Sequence, residues 1–204
     1  MRHLLNANKF KDQILVFGVS KKFSTGFEDL YQWSKIGGSK SNFALDILNA
    51  KNLAEKEGVF YHLERPDRKV CFFLFKNMFY LVGSDNAIQF QLLEAIIEET
   101  SQEFSSYYQN KLEQRKAGFA YEHKEFDKKF EYIIGGLKHI VTIIFAPCSV
   151  CGKTINIIAK NSIINRPEQR MPLPLVYTHK GHSLLIYIDS HFQVRGSEIV
   201  DISS

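Results

Sequence analysis

The chain has 204 residues, of which 45% are hydrophobic and 24% charged, and its net charge is +4. This composition is typical of a folded globular protein and excludes extensive disorder, and the interleaved charges differ from the basic stripe of a nucleic-acid-binding protein. Cys71, Cys148 and Cys151 are too few for a disulfide framework and indicate a reducing compartment. No apolar run is long enough for a signal peptide or a membrane span, so we expect a cytoplasmic protein with no transmembrane segment.

The N-terminal elements begin after a polar stretch at residues 1–13, which we expect to form an arm or a short helix. Residues 14–20 are rich in β-branched side chains and predict a strand. Residues 27–36 are its expected antiparallel partner, although Glu-Asp-Leu-Tyr within them fits a short helix equally well.

A helix is predicted next, capped by Ser41 or Asn42 and ending near Glu57, where Gly58 stops it. Leu45 and Leu53 widen its apolar stripe, whose members recur at helical spacing: Phe43, Ala44, Ile47, Leu48 and Ala54. Residues 59–63 predict another strand, followed by a charged turn at residues 64–69 that we expect to be solvated.

Residues 70–83 contain two apolar runs separated by Lys76 and Asn77. Asn tolerates the left-handed backbone of a tight turn, so this pattern predicts a β-hairpin. Because the runs are continuously apolar, both faces of the hairpin should be covered. A long helix from Ala87 to about Lys116 should cover one face with an apolar stripe: Leu93, Ile96, Ile97, Phe104, Tyr108 and Leu112.

These elements predict an α+β fold in which residues 14–116 form a five-stranded antiparallel sheet with helices mainly on one side. Residues 117–138 are interpreted as a helical connector containing a helix at 125–137. Residues 139–204 change to short, proline-punctuated segments and predict a small β-rich domain. Its expected strands are 140–145, 154–159, 175–178, 184–189 and 192–195.

The pattern at residues 72–85, a strand pair around a charged turn and then a small polar step into a helix, resembles the longin domains. These domains have a profilin-like fold and recur in membrane-trafficking proteins. The related roadblock fold begins with a helix, so the strand at 14–20 favours longin. The resemblance covers residues 14–116 and implies a non-enzymatic scaffold. Such a scaffold binds a Ras-like small GTPase, pairs with another longin or roadblock domain, or folds back on peptides, and a homodimer is among the expected assemblies.

A second motif, Cys148-x-x-Cys151 followed by a glycine, is typical of a zinc knuckle. A structural zinc ion needs four ligands, and His179 and His182 are the candidates to complete the set. These two histidines are spaced more closely than in zinc fingers, and they lie at a strand end beside Gly181. The alternative is a degenerate knuckle, with two reduced cysteines in a tight turn and solvated histidines.

Other chemistries for the cysteine motif fit less well. A redox pair favours its first cysteine at a helix N-terminus, whereas a strand-like run follows here. A nucleophilic Cys148 paired with His179 or His182 would have only Asp189 as an orienting acid. Gly152-Lys153-Thr154 is not a phosphate loop, because Pro147 stands where such a loop needs glycine.

The sequence therefore predicts a non-enzymatic interaction platform that takes part in small-GTPase regulation and vesicle trafficking. The alternative is a zinc-knuckle nucleic-acid-binding protein carried by residues 139–204. A hydrolase or redox enzyme resting on Cys148 and Cys151 is the third hypothesis. No catalytic or cofactor-binding residue is assigned, apart from zinc at Cys148, Cys151, His179 and His182.

Overall fold

The computed structural model describes residues 7–35, 39–114, 124–164, 172–179 and 181–200. The chain divides into two compact units, Met1–Leu137 and Lys138–Ser204, which we name the N-terminal unit and the C-terminal unit. The elements of the N-terminal unit are α1 (Ala7–Gln13), β1 (Ile14–Phe23), β2 (Gly26–Ser34), α2 (Ser39–Leu53), β3 (Phe60–Glu64), β4 (Arg68–Phe75), β5 (Met78–Asp85), α3 (Phe90–Gln114) and α4 (Lys124–Gly135).

The five strands of the N-terminal unit form one sheet in the order β2-β1-β5-β4-β3, and each neighbouring pair is antiparallel. The prediction of an α+β fold with a five-stranded antiparallel sheet is confirmed. The ambiguous segment after the first turn is strand β2, whose Trp33 pairs with Phe17 of β1. Lys76 and Asn77 have φ angles of 50° and 60°, as the tight β4–β5 hairpin requires.

Helices cover both faces of this sheet. Phe79 of β5 belongs to the same buried cluster as Phe43 and Ala50 of α2. The next residue, Tyr80, places its hydroxyl 3.2 Å from Ser105 Oγ of α3. Because successive strand residues point to opposite faces, α2 and α3 lie on opposite sides. Helix α2 therefore covers the second face alone, as the continuously apolar runs of β4 and β5 require.

Helix α4 packs on the sheet face that α3 also covers. Phe130 stacks on Phe17 of β1 with ring centroids 4.5 Å apart, and Phe126 meets Tyr31 of β2 edge-on at 4.9 Å. Both α4 phenylalanines are fully buried. The helix at the expected connector is thus part of the core of the N-terminal unit.

The C-terminal unit consists of two small antiparallel sheets, β6-β7 and β10-β9-β8. Buried aliphatic residues from both sheets, among them Ile144, Ile157, Leu184 and Ile186, form one core cluster. A 3₁₀ turn at Leu137–His139 leads into the unit. Its elements are β6 (Val141–Pro147), β7 (Thr154–Lys160), α5 (Asn161–Ile164), β8 (Leu173–His179), β9 (His182–Ile188) and β10 (Val194–Val200).

Candidate functional sites

The first candidate site is an apolar surface on α2. Leu45, Leu48 and Leu53 are 64%, 57% and 49% exposed, and we name these three residues the α2 leucine surface. The sheet-facing side of the same helix is formed by Phe43 and Ala50, which are buried. The predicted apolar stripe is therefore buried only in part, because Ala44 and Leu48 as well as Leu45 and Leu53 are exposed. The apolar residues of α2 extend around most of the helix, so some must face solvent.

A close approach between helix and strand holds the N-terminal part of α2 against the sheet. A Cβ atom added to Gly83 of β5 would lie 2.5 Å from Phe43 Cε1 and 2.6 Å from Val16 Cγ1. Only glycine leaves room for the Phe43 ring at this position. Phe43 therefore packs directly against the backbone of the sheet.

Ion pairs hold α2 at two further points. Asp46 is buried and accepts hydrogen bonds from Arg65 Nε at 3.2 Å and Arg68 Nε at 2.6 Å. On another turn of the helix, Lys51 Nζ lies 2.5 Å from Asp29 Oδ1 of β2. Helix α2 is therefore fixed to the β3–β4 turn and to β2, and the α2 leucine surface is displayed on a firmly held helix.

The surroundings of Asp29 favour its charged form and so favour its ion pair with Lys51. Burial raises the pKa of Asp29, but the hydrogen bonds from Lys51 and from Ser20 Oγ outweigh this effect and lower the pKa overall. The Ser20 hydrogen bond is 2.6 Å long. Asp29 is thus held as a carboxylate that ties β1, β2 and α2 together.

The second candidate site is the turn between β6 and β7. Cys148 donates its backbone N–H to Lys153 O, and Gly152 donates to Cys148 O, both at 2.8 Å. Gly152 has a φ of 67°, a conformation that glycine adopts without strain. Cys148 is buried, Cys151 is partly buried, and neither forms a disulfide bond.

The backbone around Cys148 favours its thiolate. The N–H of Cys151 is the largest influence and lowers the pKa of Cys148, against desolvation, which raises it. The N–H of Val150 and the thiol of Cys151 lower it further. The turn therefore places two sulfur atoms together and directs backbone donors at one of them.

The two predicted histidine ligands lie on another hairpin. His179 and His182 are paired residues at the facing ends of β8 and β9, and Gly181 between them has a φ of 78°. Their side chains lie outside the described part of the structure. Among the described residues, no group of three or more His, Cys, Asp or Glu side chains is arranged to hold a metal ion. The four-ligand zinc site stays a prediction, of which the structure brings together Cys148 and Cys151.

Asp189, the candidate orienting acid, is occupied within its own turn. Its carboxylate accepts backbone N–H groups of His191 and Gln193 and lies 2.7 Å from Arg195 Nε. The Gln193 N–H is the largest influence that lowers the pKa of Asp189. Asp189 therefore closes the β9–β10 turn, which accounts for the residue without a catalytic role.

Sequence reasoning missed two buried polar contacts. The charged turn expected to be solvated supplies Arg65 and Arg68 to the buried Asp46. Tyr31 donates its hydroxyl to Asp127 of α4 at 2.6 Å. An acid three residues after Phe43, on the buried side of a helix, is the one signal that could have indicated a partner for Asp46.

No protein-family model matches this chain. No curated protein matches it either. Among the described helices, none combines the length and the apolar character that crossing a membrane would require.

Proposed function

We propose that the N-terminal unit is a longin-like docking platform for a Ras-like small GTPase, or for another longin or roadblock domain. The observation that carries this proposal is the α2 leucine surface. Leu45 and Leu48 are three residues apart, so they are neighbours on the helix surface, and grouped exposed apolar side chains are a common feature of protein-binding sites. The resemblance of residues 72–85 supplies the class of partner.

The anchoring of α2 supports a docking role. Phe43 against Gly83, Asp46 between two arginines and Lys51 on Asp29 fix the helix before any partner arrives. A surface that is already ordered loses less conformational entropy on binding than a flexible one. The leucines can therefore contribute most of their burial energy to the complex.

The neighbouring edge of the sheet offers a second contact. Strand β3 is at the edge of the sheet, and its Tyr61 and Leu63 are partly buried in the cluster that includes α2. An edge strand presents unpaired backbone groups that another chain can use. Strand β3 and helix α2 together would provide both hydrogen-bonding and apolar contacts. That the protein is not an enzyme, and the nucleic-acid alternative, remain predictions from the sequence.

A binding experiment with the full chain tests the proposal. The immobilised protein is exposed to a panel of purified Ras-like GTPases, each loaded with GDP or with a non-hydrolysable GTP analogue, and its own mass is measured by light scattering. We expect retention of at least one GTPase or a stable homodimer. No retention in either nucleotide state together with a monomeric mass would contradict the proposal.

Matched variants locate the surface. Leu45→Lys combined with Leu48→Lys should weaken the interaction at least about 10-fold, because burying one leucine is worth about 1.5–3 kcal/mol and 1.4 kcal/mol is tenfold. Tyr132→Lys, at a 79% exposed position on α4, is the control and should bind like the wild type. Equal binding by the double variant, with an unchanged circular dichroism spectrum, would exclude the α2 leucine surface.

A further inference from the structure

We infer that the C-terminal unit holds one zinc-class metal ion, ligated by Cys148 and Cys151 of the β6–β7 turn and by His179 and His182 of the β8–β9 turn. This inference concerns a different unit from the docking surface and does not depend on the proposed function.

The first step is the geometry of the cysteine turn. Cys148 donates its backbone N–H to Lys153 O and accepts the N–H of Gly152 at its carbonyl, so two hydrogen bonds close the turn around both cysteines. Gly152 has a positive φ, which lets the chain reverse there. A tight turn with two cysteines three positions apart is the arrangement in which a zinc knuckle presents two sulfur ligands.

The second step is the repetition of this arrangement in the topology. Each of the hairpins β6–β7 and β8–β9 has a pair of metal-ligand residue types, three positions apart, where its strands meet. Each turn also has a glycine with positive φ, Gly152 in one and Gly181 in the other. His179 and His182 are cross-strand partners, as expected for two ligands presented by one turn.

The third step is that both hairpins belong to one small core. Cys148 is a member of the buried cluster that includes Leu184 and Ile186 of β9, and Cys151 packs against it. Strand β6 also contacts β10, which pairs with β9. The hairpin that carries the cysteines and the one that carries the histidines are therefore packed in the same structural unit.

The donor set decides the class of metal. Two thiolates and two imidazoles are soft or borderline ligands that favour Zn²⁺ in tetrahedral geometry and disfavour Mg²⁺ or Ca²⁺. Such a site with four protein ligands is structural, because it keeps no open position for substrate. A small unit with a limited apolar core gains much of its stability from an ion of this kind.

Metal analysis of the purified full chain tests the inference. The protein is expressed with zinc supplementation, and its metal content is measured by mass spectrometry. We expect about one zinc per chain. Zinc-free protein, or a Cys148–Cys151 disulfide in protein purified under reducing conditions, would overturn the inference.

Cobalt identifies the ligand set on the wild-type chain, so this result does not depend on a variant that folds. Metal-free protein titrated with Co²⁺ should show the visible bands of a tetrahedral site with two sulfur ligands. A spectrum typical of four sulfur ligands, with half a metal per chain and a dimeric mass, would mean that two copies share the ion through their cysteines. That result would contradict the assignment of the histidines.

Three variants complete the test. Cys148→Ser with Cys151→Ser, and separately His179→Asn with His182→Asn, should each reduce the bound metal to less than a tenth of the wild-type content. His191→Asn is the matched control, since His191 is an exposed histidine in the same unit, and it should keep its metal. Full metal content in the double histidine variant would overturn the assignment.

Discussion

The buried cores of the two units differ in the residue types that form them. The N-terminal unit places large rings on one face of its sheet, where Phe17, Tyr31, Phe104, Phe126 and Phe130 contact one another in a chain. The buried cluster of the C-terminal unit consists of aliphatic side chains together with Cys148. The comparison teaches that the first core is filled largely by contacts between rings and the second by aliphatic packing, while each core also includes a buried cysteine, Cys71 in the first and Cys148 in the second.

The largest expected effect comes from the aromatic core of the N-terminal unit. Phe104 is 1% exposed and packs edge-on against Phe126 at 4.9 Å. Phe104→Ala should reduce the free energy of unfolding by about 3–5 kcal/mol, because it leaves a cavity among rings. Trp33, the one tryptophan of the chain, packs on Phe130, so its fluorescence reports the unfolding of this unit in denaturant titrations. Phe75→Ala, at a 44% exposed position, is the control, and an equal loss there would contradict the account.

A large-to-small substitution in the core of the C-terminal unit should leave the unfolding transition that Trp33 reports unchanged. Ile186 of β9 is fully buried, and Ile186→Ala should destabilise its own unit by about 2–4 kcal/mol. We expect faster hydrogen exchange in β8, β9 and β10 and an unchanged Trp33 transition. Ile199→Ala, in the same sheet at a 59% exposed position, should have little effect. A shift of the Trp33 transition in Ile186→Ala would mean that the two units unfold together.

A smaller loss is expected where α2 approaches the sheet. Gly83→Ala places a methyl group against Phe43 and Val16, and overpacking of this kind costs about 1–3 kcal/mol. The matched control is Gly135→Ala, because no atom lies within 4 Å of an added Cβ there. Thermal unfolding followed by Trp33 fluorescence compares the two. Equal melting temperatures for the variants would contradict the packing of Phe43 on Gly83.

The smallest effect concerns the hydroxyl of Tyr31. Tyr31→Phe removes the 2.6 Å hydrogen bond to Asp127 and should cost on the order of 1–2 kcal/mol near neutral pH. Burial, assisted by Asp127, raises the pKa of Tyr31 in the folded state. Above pH 10 the unfolded chain therefore releases a proton that the folded chain retains, so wild-type stability falls as the pH rises.

The Tyr31→Phe variant has no ionisable hydroxyl at this position, so its stability does not change with pH for this reason. The stability difference between wild type and variant should therefore shrink from about pH 9 to about pH 11. Denaturant titrations at several pH values measure it. A difference that stays constant or grows over this range would show that the Tyr31 hydroxyl is not held as the structure indicates.

Local patterns were sufficient to predict much of this fold. The apolar runs on either side of Lys76-Asn77 identified the β4–β5 hairpin, and the spacing of Leu93, Ile96 and Ile97 identified a helix with a buried stripe. The cysteine turn was also recognisable, because its glycine and both thiols lie within a few residues. Each of these features is determined by neighbours in the sequence.

Contacts between distant residues could not be predicted in the same way. The apolar residues of α2 extend around the helix, so periodicity does not say which of them face the sheet. That choice depends on Gly83, which leaves room for Phe43, and on Arg65 and Arg68, which meet Asp46. The exposure of the leucines on α2 follows from these long-range contacts.

The most direct test of the contrast between the two units is hydrogen exchange of the full chain with and without a zinc-selective chelator. The proposed zinc site predicts that β6–β10 lose protection in the presence of the chelator, while β1–β5 and α3 exchange as before. Unchanged exchange in β6–β10, or an equal loss of protection in both units, would contradict it.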